Sequence, residues 1–198
     1  MQMKTSLTLC ALVLSISITG CAIKTADEDP ATEYATLEVD TTTEGEGGSV
    51  VMTEASCTND ADTGFFSGTF TGDNEAMLTI KIKGFSTSAG TYTCTQASDN
   101  TEGGIGNKFD SCTVELVIPD PELSSNAYAM HRETEDTKAF TYAGDCTLST
   151  TYEEPRVSAS IDCSGLVQTV LQGAPRNPID PNVTAHITNG STFFCDLL

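Results

Sequence analysis

Met77-Leu-Thr-Ile-Lys-Ile-Lys83 is the stretch on which the fold turns. Leu78, Ile80 and Ile82 fall on one side of an extended chain and Thr79, Lys81 and Lys83 on the other, the period of two that a half-buried β-strand requires. The alternation returns at Cys112-Thr-Val-Glu-Leu-Val-Ile118, where Cys112, Val114, Leu116 and Ile118 are in phase before Pro119 stops the run. It returns again at Val157-Ser-Ala-Ser-Ile-Asp-Cys163, with Val157, Ala159, Ile161 and Cys163 on one side. Further strands are expected at residues 49–54, 65–71, 91–94, 127–131, 139–143, 183–188 and 192–197, separated by clusters of Gly, Asn, Asp and Pro. Many short strands without an amphipathic helix predict an all-β fold. The expected architecture is an antiparallel β-sandwich, immunoglobulin-like in outline. An eight-stranded β-barrel is the alternative. The chain has no tryptophan, which removes one hallmark of antibody-type domains.

Cysteine usage agrees with a stapled sheet. Cys57, Cys94, Cys112, Cys146, Cys163 and Cys195 are spread one per segment and show no zinc-like spacing, so disulfides in an oxidising compartment are expected rather than a metal cluster. Proximity along the chain pairs Cys94 with Cys112 and Cys146 with Cys163. Closure of the domain's ends pairs Cys57 with Cys195.

The two other cysteines, Cys10 and Cys21, belong to the amino-terminal stretch MQMKTSLTLCALVLSISITGC. Lys4 precedes an apolar run from Leu7 to Ile18, too short to cross a bilayer, for which about 20 apolar residues are needed. It reads as a signal peptide. The run ends in Ile18-Thr19-Gly20-Cys21, which resembles the lipobox of bacterial lipoproteins: an aliphatic residue, two small ones and a cysteine. The resemblance implies cleavage after Gly20, diacylglycerol on the Cys21 sulfur and acylation, typically with palmitate, of the new amino terminus. Several acyl chains on one residue make a stable anchor. Ala22 is not the aspartate of an inner-membrane retention signal, so the outer membrane is the expected address, its face left open.

Loss of residues 1–20 removes Lys4 and no acid, leaving 8 basic against 28 acidic residues and a formal charge of −20. Such a surface repels phosphate backbones and anionic lipid, which argues against nucleic-acid binding. It suits a protein, glycan or cation partner and keeps an exposed protein soluble. Residues 22–48, rich in acids and threonine and including Gly-Glu-Gly-Gly, read as a flexible tether, with Tyr34, Leu37 and Val39 the sizeable apolar residues. The expected organisation is a leader at 1–20, lipidated Cys21 with its tether at 21–48, and one β-domain at 49–198.

Chemistry-bearing patterns are sparse. His131, beside Arg132, Glu133, Glu135 and Asp136, and His186 are the histidines, and with nearby acids they carry the alternative of an envelope hydrolase or metal-dependent enzyme. Asn59-Asp-Ala-Asp-Thr-Gly64 invites a calcium reading through Asp60 and Asp62. Aligned on Gly64, however, an EF-hand loop would place Ala61 and Phe70 at ligand positions. Cys163-Ser-Gly165 lacks the nucleophile elbow of α/β-hydrolases, and no cofactor motif is present. Residues 167–182, with Pro175, Pro178 and Pro181, read as a long loop able to carry recognition. The adjacent pairs Phe65-Phe66 and Phe193-Phe194 must each turn one ring inward and one outward. The reading that follows is a non-enzymatic binding or structural module, lipid-anchored in the envelope.

Overall fold

Alternating apolar residues become staves wherever a neighbour can pair with them. The computed structural model describes residues 32–43, 46–94, 111–118, 126–130, 144–169 and 178–197. Its strands are β1 (Ala35–Thr41), β2 (Gly47–Asp60), β3 (Phe65–Gly72), β4 (Met77–Lys83), β5 (Gly90–Cys94), β6 (Cys112–Ile118), β7 (Asn126–Ala129), β8 (Asp145–Glu153), β9 (Arg156–Thr169) and β10 (Pro178–Asp196), with a 3₁₀ turn at Asp73–Glu75. Neighbouring strands follow the order β10-β1-β2-β3-β4-β6-β7-β9, and β9 pairs back onto β10. These eight strands therefore form a closed antiparallel barrel. β8 pairs with β9, and β5 with β8, as extra strands outside that ring.

The expected β-sandwich is thus corrected to the barrel that stood as its alternative. A sandwich leaves free edges between its two sheets, whereas here β1 lies between β2 and β10, and β10 between β1 and β9, so the ring has no edge. Two elements make the closure. The first, β1, lies inside the stretch read as tether, and the compact unit runs from Glu33 to Leu198 rather than from residue 49. Ala35, Leu37 and Val39 are buried on its inner face, while the acids that suggested a tether, Glu38 and Asp40, face outward. The second is β10, one strand of 19 residues where two strands and a preceding loop were expected. Its pairing with β9 shifts register between Ile187 and Ser191, at Gly190 with φ 109°, and the strand continues through the bend. Pro178 and Asp180 of the expected loop pair with Thr169 and Gln168 of β9, and residues 170–177 lie outside the described residues. In this stretch β10 has no pairing to β1, the one-sided setting in which a strand tolerates proline.

Bulges also set which side chains point inward. On β2 the register with β3 shifts between Met52 and Glu54, so the inward set changes from Val50 and Met52 to Ala55 and Cys57. On β9 the inward set Val157, Ala159, Ile161 and Cys163 gives way to Leu166, with Gly165 (φ 66°) at the change. There β9 also exchanges neighbours. Asp145 of β8 pairs as far as Ser164, and β7 takes over from Val167.

The interior is filled by side chains. Leu37, Met52, Phe66, Phe70, Leu78, Ile80, Ile82, Leu116, Leu148 and Phe193 are buried, and Phe70 of β3 meets Phe193 of β10 across the lumen with centroids 5.1 Å apart. Each such side chain stabilises by about 1.5–3 kcal/mol on burial. Disulfides join Cys57 of β2 to Cys195 of β10, Cys94 of β5 to Cys112 of β6, and Cys146 of β8 to Cys163 of β9. These are the pairs expected, two from proximity along the chain and Cys57–Cys195 from closure of the domain's ends. The last two pin the β5–β8 flap at both sides, to β6 and to β9. The expected strand at 139–143 lies outside the described residues.

Candidate functional site

At the end of the barrel where β1 meets β2 and β3 meets β4, the inward face turns polar. Tyr128 sits opposite Leu116, and Asn126 opposite Ile118, so both follow the inward phase of β6 and β7. Gln168 is the register partner of Tyr128 on β9. Into this corner reaches Glu46, the residue immediately before β2. Its Oε2 accepts from the Tyr128 hydroxyl at 2.6 Å and its Oε1 from the Asn126 amide at 2.8 Å, while Gln168 Nε2 donates to Asn126 Oδ1 at 3.2 Å. Hydrogen bonds to an ionised acceptor are the strong class, and the Tyr128 bond is short.

The position of Glu46 gives this contact its meaning. In the ring, β2 and β7 are four strands apart in either direction, so Glu46 crosses the mouth to the opposite wall. The local sequence allows it because Gly47 and Gly48 follow with φ 108° and 104°. At Gly47 a side chain would also collide with the Val39 carbonyl, 2.6 Å from where its Cβ would stand. Beside this latch, on the rim, lies a cleft of about 340 Å³ lined by Gly47, Ser49, Val50, Val51, Asp73, Ala76 and Ile118. Eight-stranded barrels are just wide enough either to be filled by their own side chains or to hold one small ligand. Here the described lumen is filled by buried side chains, and a cleft opens at the rim.

Among the described residues, Asp60, Asp62 and His186, singled out by sequence, are not gathered there. Asp60 lies at the opposite end, in the turn from β2 to β3. Its Oδ1 accepts from the backbone N–H of Asp62 at 3.0 Å and of Thr63 at 3.3 Å. The Thr63 side chain, with these two N–H groups, holds the exposed Asp60 carboxyl below its ordinary pKa. Asp60 thus closes an Asx turn, and among the described residues no group of three or more His, Cys, Asp or Glu side chains is placed to hold a metal ion. His186 is on the outer face of β10, where its Nδ1 accepts the Gly165 N–H at 3.3 Å and so satisfies the backbone donor at the β9 bulge. His131, its acidic neighbours and Cys21 lie outside the described residues.

Of the phenylalanine pairs, Phe66 and Phe193 point inward and Phe65 and Phe194 outward. Phe194 is held between Tyr34, at 5.3 Å between centroids, and the Arg156 guanidinium, 4.7 Å above its ring, while Arg156 pairs with Asp196 at 2.9 Å. That exposed ion pair contributes little to stability. The mouth cluster was legible only as an anomaly: Asn126 and Tyr128 place polar groups in the inward phase of an otherwise apolar hairpin, and Glu46 precedes a glycine pair.

By architecture, then, the chain is an up-and-down antiparallel barrel with a packed lumen, an added stapled flap and a latched polar mouth. Comparison with protein-family models, with curated proteins and with solved structures finds no match.

Proposed function

We propose that the protein is a bacterial envelope lipoprotein, anchored through acylated Cys21 and directed to the outer membrane, whose barrel serves as a non-enzymatic binding or structural module. The observation that carries the reading is the pairing of address with chemistry. A lipobox-like Ile18-Thr19-Gly20-Cys21 ends a short apolar leader, and the six cysteines beyond it form three disulfides, the state that an exported domain maintains. The support for a binding or structural role is a rigid scaffold. The wall is closed, the lumen is packed, and the polar groups that break the apolar pattern converge on one end.

The test is metabolic labelling with radioactive palmitate in a two-membrane bacterium, followed by fractionation of wild type and Cys21→Ser. Labelled wild type in the outer-membrane fraction and an unlabelled, unanchored variant are expected. An unlabelled wild type would remove the lipoprotein reading. For the module itself, replacing His131 and His186 together by alanine is expected to leave partner binding unchanged.

A further inference from the structure

We propose that the rim cleft between the β1–β2 and β3–β4 connections binds a small organic cation with a short apolar body, with Asp73 and Glu46 as its counter-charges. The proposal deepens the binding-module reading and rests on it.

The cleft supplies both halves of such a ligand's surroundings. Val50, Val51, Ala76 and Ile118 offer apolar wall, and Val51, 37 % exposed, is one of two large apolar side chains that stand exposed among the described residues. An apolar side chain left open beside a concavity favours a ligand that covers it. Ser49 and Asp73 supply polar lining, and Asp73 opens the 3₁₀ turn between β3 and β4. Glu46 precedes Gly47 directly, and its carboxylate is held by Asn126, the register partner of the cleft residue Ile118.

Charge decides the sign of the ligand. The hydroxyl of Tyr128 and the amide of Asn126, two donors at this end, are both directed at the chain's own carboxylate. A carboxylate offers about four acceptor positions, of which these two bonds use two, so Glu46 can still accept from an ammonium group. The chain as a whole carries a formal charge of −19 before processing, which draws cations toward it and holds anions off. A volume of 340 Å³ lies at the small end of ligand sites, enough for an alkylammonium and too small for a folded partner.

The test uses the full chain, disulfides intact, in a non-ionic detergent, titrated calorimetrically with butylammonium, 1-butanol and butyrate in parallel. Butylammonium is expected to bind saturably and at least tenfold more tightly than butanol or butyrate. Asp73→Asn, on an exposed turn, is expected to weaken it about tenfold without shifting the unfolding midpoint, and Glu46→Gln, which exchanges one acceptor oxygen of the latch for an amide donor, to weaken it about tenfold as well. Equal or tighter binding of butanol or butyrate overturns the proposal. So does the absence of saturable binding, or binding indifferent to both substitutions. Palmitate labelling is unaffected by any of these results, so failure of the cation site and failure of the lipoprotein reading are separately visible.

Discussion

Gly68 shows how one residue sets the packing at the base of the barrel. It lies inward on β3 opposite Cys57, and a Cβ there would stand 3.1 Å from the Cys57 sulfur, 3.1 Å from the Phe70 ring and 3.2 Å from the Phe66 ring. None of these neighbours is free to retreat, since one is in a disulfide and the others are buried rings. Gly68→Val is therefore expected to lower stability by about 1–3 kcal/mol, the cost of overpacking, seen as a lower denaturant midpoint with an unchanged slope. Asp60 gives the residue-scale pH dependence. Its carboxyl is held below the ordinary pKa by the Thr63 hydroxyl and by the N–H groups of Asp62 and Thr63. A depressed folded-state pKa means that the stabilisation is fully present above the unfolded value, about 3.9, and is lost as pH falls through the folded one. Carbon-detected NMR of the Asp60 carboxyl is expected to give a titration midpoint below that of an unstructured aspartate. A midpoint at or above it would remove the Asx-turn account.

Among the elements, the disulfides differ in what they constrain. Cys57–Cys195 spans 138 residues and ties β2 to the carboxy-terminal end of β10, whereas Cys94–Cys112 and Cys146–Cys163 span 18 and 17 residues and fasten the β5–β8 flap. In the chain-entropy account a loop of 15 residues contributes about 3 kcal/mol and one of 100 residues about 4.7 kcal/mol. Replacing Cys57 and Cys195 together by serine is expected to cost more than replacing either flap pair, by about 1–2 kcal/mol, in chemical denaturation of the three double variants. Element boundaries were legible wherever one strand keeps one parity. β4 and β6 begin and end where Met77–Lys83 and Cys112–Ile118 alternate. β2, β9 and β10 outran the sequence reading because each carries a bulge at which the inward phase changes, and a period-two search stops there. β8 was passed over even though Cys146, Leu148 and Thr150 alternate inward, because threonine and serine fill its outer face and polar residues dominate the segment.

For the molecule as a whole, acidity is a feature of the outer wall. The whole chain has a formal charge of −19, and its described residues set 16 acids against the three cations Lys81, Lys83 and Arg156, so self-repulsion opposes the folded state. Raising ionic strength from about 0.01 M to about 0.15 M shortens the Debye length from about 30 Å to about 8 Å and should raise the thermal midpoint. Each kcal/mol of relieved repulsion shifts it by about 2–4 °C for a chain of this size. A midpoint unchanged by simple salts, measured by circular dichroism, would mean that the acids are spaced too widely to interact.

What the sequence by itself determined is local. It determined the all-β class, the strands of constant parity and the two cysteine pairs Cys94–Cys112 and Cys146–Cys163, because each is written in spacings of a few residues or in proximity along the chain. The tertiary structure alone decided that the sheet closes, since closure rests on β1 meeting β10 across some 150 residues, Ala35 against Phe193, and hairpins alternate alike in a sandwich and in a barrel. It also made residues 35–41 of the expected tether into a stave, because charged residues at every second position are what an outward face looks like once the other face is buried. The mouth cluster belongs to the same category. Glu46, Asn126, Tyr128 and Gln168 are far apart in the chain and meet only because β2 and β7 stand opposite each other in a closed ring of eight.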